Sequence, residues 1–130
     1  MADMKIGAKG SAETLVVFEN TAAAVGSGAM EVFSTPSMIA LMENAAMNAV
    51  KPYLEEGQGS VGIRLEVSHL AATPMGVKVR AEAELVSVEK RKLTFSVKAY
   101  AGDELIGEGM HSRAIILNDR FMEKTMAKYK

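Results

Sequence analysis

The residue of this sequence whose type and position most clearly invite a chemical role is Glu43. It interrupts an otherwise apolar segment, residues 38–50, that has the composition of a buried helix. A carboxylate in such a segment is costly to bury unless it is paired or lines a wet cleft. We therefore predict that Glu43 lies in a pocket, where it could act as a general base or a nucleophile. The alternative is a side chain that faces water through a gap in the surrounding structure.

A histidine on a predicted strand could handle protons beside that carboxylate. From residue 59 the sequence alternates between apolar and polar residues, and His69 shares the parity of Val61, Ile63, Leu65 and Val67. We expect its imidazole on the buried face near the end of the strand, where it could serve acid–base chemistry. The alternative is a core histidine that hydrogen-bonds a backbone carbonyl.

A hydroxyl at a predicted helix start is the third candidate. The run Thr35-Pro36-Ser37 signals a helix start. Threonine can cap free amides, and proline is tolerated in the first turn because an N–H group there has no hydrogen-bond partner within the helix. Thr35 could be no more than that cap. Its hydroxyl would also lie beside free amides and the positive end of the helix dipole, which favour developing negative charge.

The elements that must position these residues follow from the periods of the apolar residues. Thr35 should begin a helix that is enclosed on most sides, and Lys51-Pro52 should end it. An opening strand at 14–18 and a loop or short helical turns at 21–29 precede this helix. Four strands follow it, at 59–69, 77–85, 93–99 and about 105–117. Short turns favour antiparallel neighbours, so we predict one α+β domain over residues 1–130, with a long helix against a curved antiparallel sheet.

The predicted sheet has two open edges and only one helix to cover a face, which favours pairing with a second copy of the chain. The helix geometry gives another reason. If Thr35 caps the helix, Glu43 lies about 12 Å further along the axis and roughly 80° around it. Either the chain before the helix folds back, or the residues that meet at one site come from different subunits.

Composition and charge exclude several classes of function. The chain has no cysteine and two histidines, so we expect no disulfide and no metal site. A formal net charge of -1 lacks the positive field that nucleic acid requires, so we expect no nucleic-acid partner. Segment 38–50 is too short to cross a bilayer, and the first residues lack a leader pattern, so we expect a cytoplasmic protein without a membrane partner.

Seven short motifs follow one another along the chain: STPSMIALME at 34–43, AVKPYL at 49–54, GQGSVG at 57–62, VSH at 67–69, ATP at 72–74, IGEG at 106–109 and HSR at 111–113. Taken in order, these motifs resemble the fluoroacetyl-CoA thioesterase family of hotdog proteins. The resemblance extends from about residue 14 to residue 121. It implies a hotdog fold and hydrolysis of an acyl-CoA thioester to the free acid and CoA, with no cofactor besides the CoA of the substrate.

The resemblance also implies roles for particular residues. Thr35, Glu43 and His69 would serve thioester hydrolysis, with Glu43 as base or nucleophile, His69 as its proton-handling partner and Thr35 positioning the reacting group or joining the attack. Gly62 and Arg113 would line the acyl pocket. We expect the site at the interface of a homodimer, whose dimers could pair into a tetramer.

One segment departs from the family pattern. Members selective for fluoroacetyl groups carry phenylalanines as a lid ahead of the helix, whereas this chain has Gly26-Ser27-Gly28-Ala29 there. Small residues leave space and mobility at a pocket mouth, so we predict a broader range of short- or medium-chain acyl groups.

Two other functions are compatible with the same residues. A hotdog hydratase or dehydratase also uses a histidine and a carboxylate beside a thioester, but it generally carries an Asp and a His on one segment that this sequence lacks. A non-catalytic acyl-CoA-binding protein would use Glu43 and His69 only as hydrogen-bonding groups.

Overall fold

The computed structural model describes residues 4–129, so residues 1–3 and 130 of the predicted domain lie outside the described residues. In chain order the elements are β1 (Lys9–Leu15), a 3-10 turn (Phe18–Asn20), α1 (Ala22–Val25), α2 (Thr35–Val50), a second 3-10 turn (Lys51–Tyr53), β2 (Gln58–His69), β3 (Lys78–Glu89), β4 (Lys92–Ala101), β5 (Glu104–Leu117) and α3 (Asn118–Ala127). None of the helices within residues 4–129 combines the length and the apolar character that a membrane span needs.

The five strands form one antiparallel sheet in the order β1-β3-β4-β5-β2. The sheet curls around α2, which confirms the predicted α+β architecture of a long helix against a curved antiparallel sheet. Strands β1 and β2 are its two edges, so one long side of β2 has no partner strand within the described chain. Both the helix and this open edge matter for the site.

The core lies between α2 and the concave face of the sheet. Alternate residues of β3 and β4 point inward, as their period of two predicts, and pack against the apolar residues of α2. The helix approaches β1 so closely that a Cβ atom at Gly10 would collide with the carbonyl oxygen of Ala45 and the amide nitrogen of Ala49. Glycine on the strand and alanine on the helix therefore set the spacing between the two layers.

Strand β2 contains a bulge that the sequence period did not predict. Gly62 pairs with Arg113 and Arg64 pairs with Ser112, so Ile63 is the extra residue. A bulge of one residue exchanges the two faces of a strand, so Val61 does not share the face of His69 as predicted. The bulge instead turns both Gly62 and His69 toward the side of the sheet that carries α2.

Two other elements differ from the sequence prediction. The opening strand was placed at 14–18, but β1 is Lys9–Leu15, and its inward residues are Gly10, Ala12 and Thr14, which give little apolar signal. Helix α3 was not predicted. Phe121, Met122 and Met126 are spaced as on one helix face, but none of the residues of α3 is buried within the described chain.

Candidate active site

Thr35 and His69 lie together at the start of α2. Ser34, not Thr35, is the N-cap of the helix, since its hydroxyl accepts a hydrogen bond from the amide of Ser37 at 3.1 Å. The interpretation of Thr35 as the cap is therefore wrong, and Pro36 occupies the second helical position. Because Ser34 satisfies the helix end, the Thr35 hydroxyl is free to contact Nδ1 of His69 at 2.7 Å.

The surroundings of His69 favour a neutral imidazole. Burial lowers the pKa of His69, and the backbone of Ala71 partly offsets this. Its Nε2 atom is buried and has no hydrogen-bond partner among the described residues. A neutral ring can accept the Thr35 proton at Nδ1, so this pair can make the threonine oxygen a better nucleophile or orient a water molecule.

A cavity of about 350 Å³ adjoins the Thr35–His69 pair. The other residues that line it are apolar except for two serines: Ala22, Ser27, Val32, Phe33, Ser34, Leu70, Ala71 and Ala72. Ser27 belongs to the exposed loop that follows α1, and Gly26 ends α1 in the left-handed conformation at φ 84°. The loop that the sequence marks as poor in large side chains therefore borders this cavity.

The other three predicted site residues form a second cluster, further along α2 and β2. The Glu43 side chain is 35% exposed, and its Oε2 lies 3.8 Å from Nη1 of Arg113, whose side chain is 7% exposed. A Cβ atom at Gly62 would lie 2.5 Å from the same Glu43 oxygen. Glu43 is thus partly exposed beside a buried cation, and glycine is needed where β2 passes it.

The two clusters do not meet within one chain. Gly62 lies against Glu43 and His69 against Thr35, and seven residues of β2 separate the two positions. At about 3.3 Å per residue this is roughly 20 Å. The structure therefore brings Thr35 to His69, and Glu43 to Gly62 and Arg113, but it does not bring Glu43 to His69 within a single subunit.

His111 is a residue of the second cluster to which the sequence analysis gave no role. It is fully buried, its Nδ1 lies 2.8 Å from the carbonyl oxygen of Arg64, and its Nε2 lies 3.2 Å from Nη1 of Arg113. Because arginine can only donate, Nε2 accepts and Nδ1 carries the proton, so the ring is neutral. Burial is the main cause that lowers the pKa of His111, and the Arg113 charge adds to it, while the Arg64 carbonyl and Glu43 act in the opposite direction.

Ser60 and His111 together fix the orientation of Arg113. The Ser60 hydroxyl accepts from Nε at 2.8 Å, and the Ser60 carbonyl accepts from Nη2 at 2.9 Å. Nη1 is left to face His111 and Glu43. The motif HSR at 111–113 places His111 two residues before Arg113 on one strand face, and that spacing could have identified it.

Within residues 4–129 no group of three His, Cys, Asp or Glu side chains is arranged to hold a metal ion. The clusters instead offer a neutral imidazole with a hydroxyl, and a carboxylate beside a backbone strand and a buried guanidinium. Such groups can activate a nucleophile and stabilise an oxyanion.

Comparison with known proteins identifies the family that this chain matches. Residues 16–119 match the family described as fluoroacetyl-CoA-specific thioesterase. The fluoroacetyl-CoA thioesterase of Streptantibioticus cattleyicolor is 48% identical over 98 residues, which are 75% of this chain and 70% of that protein.

Solved structures agree with this match. A phenylalanine-to-alanine mutant of the fluoroacetyl-CoA-specific thioesterase FlK, in complex with fluoroacetate and CoA, superposes with a TM-score of 0.85 at 40% identity, covering 91% of this chain and 99% of that one. A hot-dog-like protein from Thermanaerovibrio acidaminovorans superposes with a TM-score of 0.86 at 25% identity, covering 96% and 93%. The predicted hotdog fold is confirmed.

Proposed function

Because the chain belongs to the fluoroacetyl-CoA-specific thioesterase family and is a thioester hydrolase, we propose that it hydrolyses short- or medium-chain acyl-CoA to the free acid and CoA. The single observation that best supports this is the 2.7 Å contact between Thr35 Oγ1 and His69 Nδ1 beside an open cavity. The family match weakens the two alternatives, a non-catalytic binder and a hydratase, since both lack thioester hydrolysis.

A homodimer would unite the two clusters. Strand β2 is an open edge, and its Ile63 and Leu65 side chains are 53% and 38% exposed. Two copies of β2 that pair antiparallel about a two-fold axis near Leu65 would place His69 of one subunit opposite Gly62 of the other. Each of two equivalent sites would then contain Thr35 and His69 from one subunit and Glu43, Gly62 and Arg113 from its partner.

A shared site fits the positions of Thr35 and Glu43 on α2. Thr35 is the first helical residue and Glu43 follows eight residues later, about 12 Å along the axis and roughly 80° around it. A single helix therefore presents the two side chains to different places. If the sites are shared, each helix contributes Thr35 to one site and Glu43 to the other. Dimer formation is then a requirement for activity.

The residues then divide the reaction among them. The Gly62 amide and Arg113 would stabilise the negative charge that develops on the thioester oxygen. In one route Glu43 takes a proton from a water molecule whose oxygen attacks the thioester carbon, the carbon–sulfur bond breaks, and the proton passes to the departing CoA thiolate, with His69 as the group that can relay it. In the other route Glu43 attacks the carbon itself and CoA leaves as the thiolate, after which water hydrolyses the acyl-glutamate anhydride, releasing the free acid and restoring Glu43. The Thr35 hydroxyl, held by His69, positions the reacting group.

The loop before α2 bears on the choice of acyl group. Residues 26–31 are exposed, and residues 26–29 carry no large side chain that could close the 350 Å³ cavity. We infer a range of acyl groups that includes chains longer than acetyl. The relatives are named for fluoroacetyl-CoA, so that substrate belongs in any comparison.

A thiol-release assay over acyl-CoAs of graded length, with fluoroacetyl-CoA included, tests the proposed function. We expect turnover of several acyl-CoAs, and a fall in kcat of about 100-fold or more for Glu43→Gln, since the amide can no longer act as base. Glu84→Gln, on an exposed strand position, is the matched control and should retain activity. Tight binding of acyl-CoA with no thiol release would refute the proposal. A marked preference for fluoroacetyl-CoA would refute the broad range alone.

The remaining features of the proposal concern the whole chain. We propose that residues 1–130 form one hotdog domain that acts in the cytoplasm as a homodimer, or as a tetramer of two such dimers. A site shared between subunits is complete in the dimer, so tetramer formation would add no catalytic group.

A further inference from the structure

A groove lined by basic residues lies between the β3–β4 turn and α3, apart from both clusters described above. It has a volume of about 320 Å³, and its cations are Arg91 from the turn and Arg120 and Lys124 from the helix. None of the three is in an ion pair with a carboxylate of residues 4–129. By contrast, Arg64, Arg80 and Arg113 all have acidic neighbours. The groove therefore holds positive charge that the described chain does not neutralise.

The local charge differs from that of the whole chain. Residues 89–92 and 118–128 contain six basic and three acidic side chains, whereas the formal net charge of the chain is -1. Cations that converge on one concave surface repel each other, and they attract an anion with several negative charges. Phosphate groups fit this requirement, because a guanidinium can form two parallel hydrogen bonds to phosphate oxygens.

The groove also has an apolar part. Phe121 and Leu117 line it and are 37% and 45% exposed. An exposed aromatic ring beside cations is a surface on which a nucleic-acid base can stack. Core packing does not account for these side chains, since both are exposed.

The groove lies at a suitable distance from the carboxylate cluster. Leu117 follows Arg113 by four residues on β5, which is roughly 13 Å along the strand. The pantetheine arm joins the sulfur of CoA to its phosphates through about as many bonds as the backbone of four residues contains. When extended, it therefore spans a similar length. A thioester beside Glu43 and Arg113 could thus place its phosphates in the groove.

We propose that Arg91, Arg120 and Lys124 form the binding site for the phosphates of the CoA moiety, with Phe121 stacking on its adenine. The inference rests on the proposed function, because it takes the substrate to be an acyl-CoA. It adds a binding role for α3, which contributes nothing to the core, and it assigns the recognition of CoA to residues remote from the reacting bond.

The test compares two substrates that share an acyl group. One is the acyl-CoA with the highest kcat/KM, and the other is the matching N-acetylcysteamine thioester, which lacks the phosphates and the adenine. The variant carries Arg91→Gln, Arg120→Gln and Lys124→Gln together, all at exposed positions. The control carries Arg64→Gln and Arg80→Gln, which remove cations already paired with Glu66 and Glu82. Thermal unfolding shows whether each variant is folded.

We expect the triple variant to raise KM for the acyl-CoA roughly tenfold, as three exposed ion pairs of modest strength would give together, with kcat unchanged. KM for the cysteamine thioester should not change in any variant. An acyl-CoA KM equal to that of the control would overturn the proposal, and so would an equal rise in KM for both substrates.

Binding of CoA itself, measured by titration calorimetry, separates this proposal from the proposed function. A Kd that rises about tenfold in the triple variant supports the groove even if no thioester is hydrolysed. A Kd that is the same in the wild type and the triple variant contradicts the groove, whatever the wild-type enzyme does to thioesters.

Discussion

Replacement of Gly62 by alanine tests whether Glu43 is held against β2 at the reacting centre. The new methyl group would lie 2.5 Å from Glu43 Oε2 and 3.2 Å from Cε1 of His111. His111 is buried and fixed by two hydrogen bonds, so the partly exposed carboxylate is the group that must retreat. An ordinary contact between carbon and oxygen requires a movement of about 1 Å, and a displacement of that size at a reacting group can cost a factor of about 100 in rate.

The assay is thiol release under saturating acyl-CoA, together with thermal unfolding. We expect kcat to fall about 100-fold for Gly62→Ala while stability changes by less than about 1 kcal/mol, because Gly62 lies at an exposed position on an edge strand. Ser68→Ala, at another exposed position of β2, is the matched control. A Gly62→Ala enzyme with a kcat within threefold of the wild type would refute the placement of Glu43 in the reaction.

Three further perturbations follow from the same contacts. Burial lowers the pKa of His69 and His111 below 6.5, so the unfolded chain binds more protons than the folded chain near that pH. The free energy of unfolding, measured by denaturant titration, should therefore fall as pH falls through about 6.5. The kcat, measured as a function of pH, should fall at lower pH as His69 gains a proton. In His111→Gln the longer side chain can bring its amide oxygen to Arg113, whereas in His111→Asn the shorter side chain can bring its amide nitrogen only to the Arg64 carbonyl, so the Gln variant should retain more kcat; the reverse order would contradict the role of Nε2. Gly10→Ala should lower the free energy of unfolding by about 3 kcal/mol, because its methyl group would meet the backbone of α2; a thermal midpoint equal to that of the wild type would contradict the close packing.

The parts of the fold that the sequence predicted are those with a strong apolar period. Helix α2 and strands β3 and β4 are buried on defined faces, so apolar residues mark both their type and their orientation. Helix α3 and strand β1 differ from them, because α3 carries an apolar face but buries nothing within the described chain and β1 turns small residues inward. Burial, not intrinsic preference, made the difference between the elements.

The site shows a different limit of sequence reasoning. The period of two predicted that His69 points toward the helix, but the bulge at Ile63 exchanges the faces of β2 and brings Gly62 to that side as well. A bulge is a matter of register with the neighbouring strand, so one strand alone cannot reveal it. The competition between Ser34 and Thr35 for the helix cap is likewise decided by geometry, and its outcome leaves the Thr35 hydroxyl available to His69.

The central claim is that two subunits share each site, and mixing of inactive variants tests it most directly. Thr35→Ala and Glu43→Gln subunits should each form inactive dimers, and equal mixing through unfolding and refolding should make half of the dimers mixed. In a mixed dimer one site would combine both substitutions and the other would be intact, so the mixture should recover about a quarter of the wild-type activity. A mixture that stays as inactive as the separate variants would show that each site belongs to one chain.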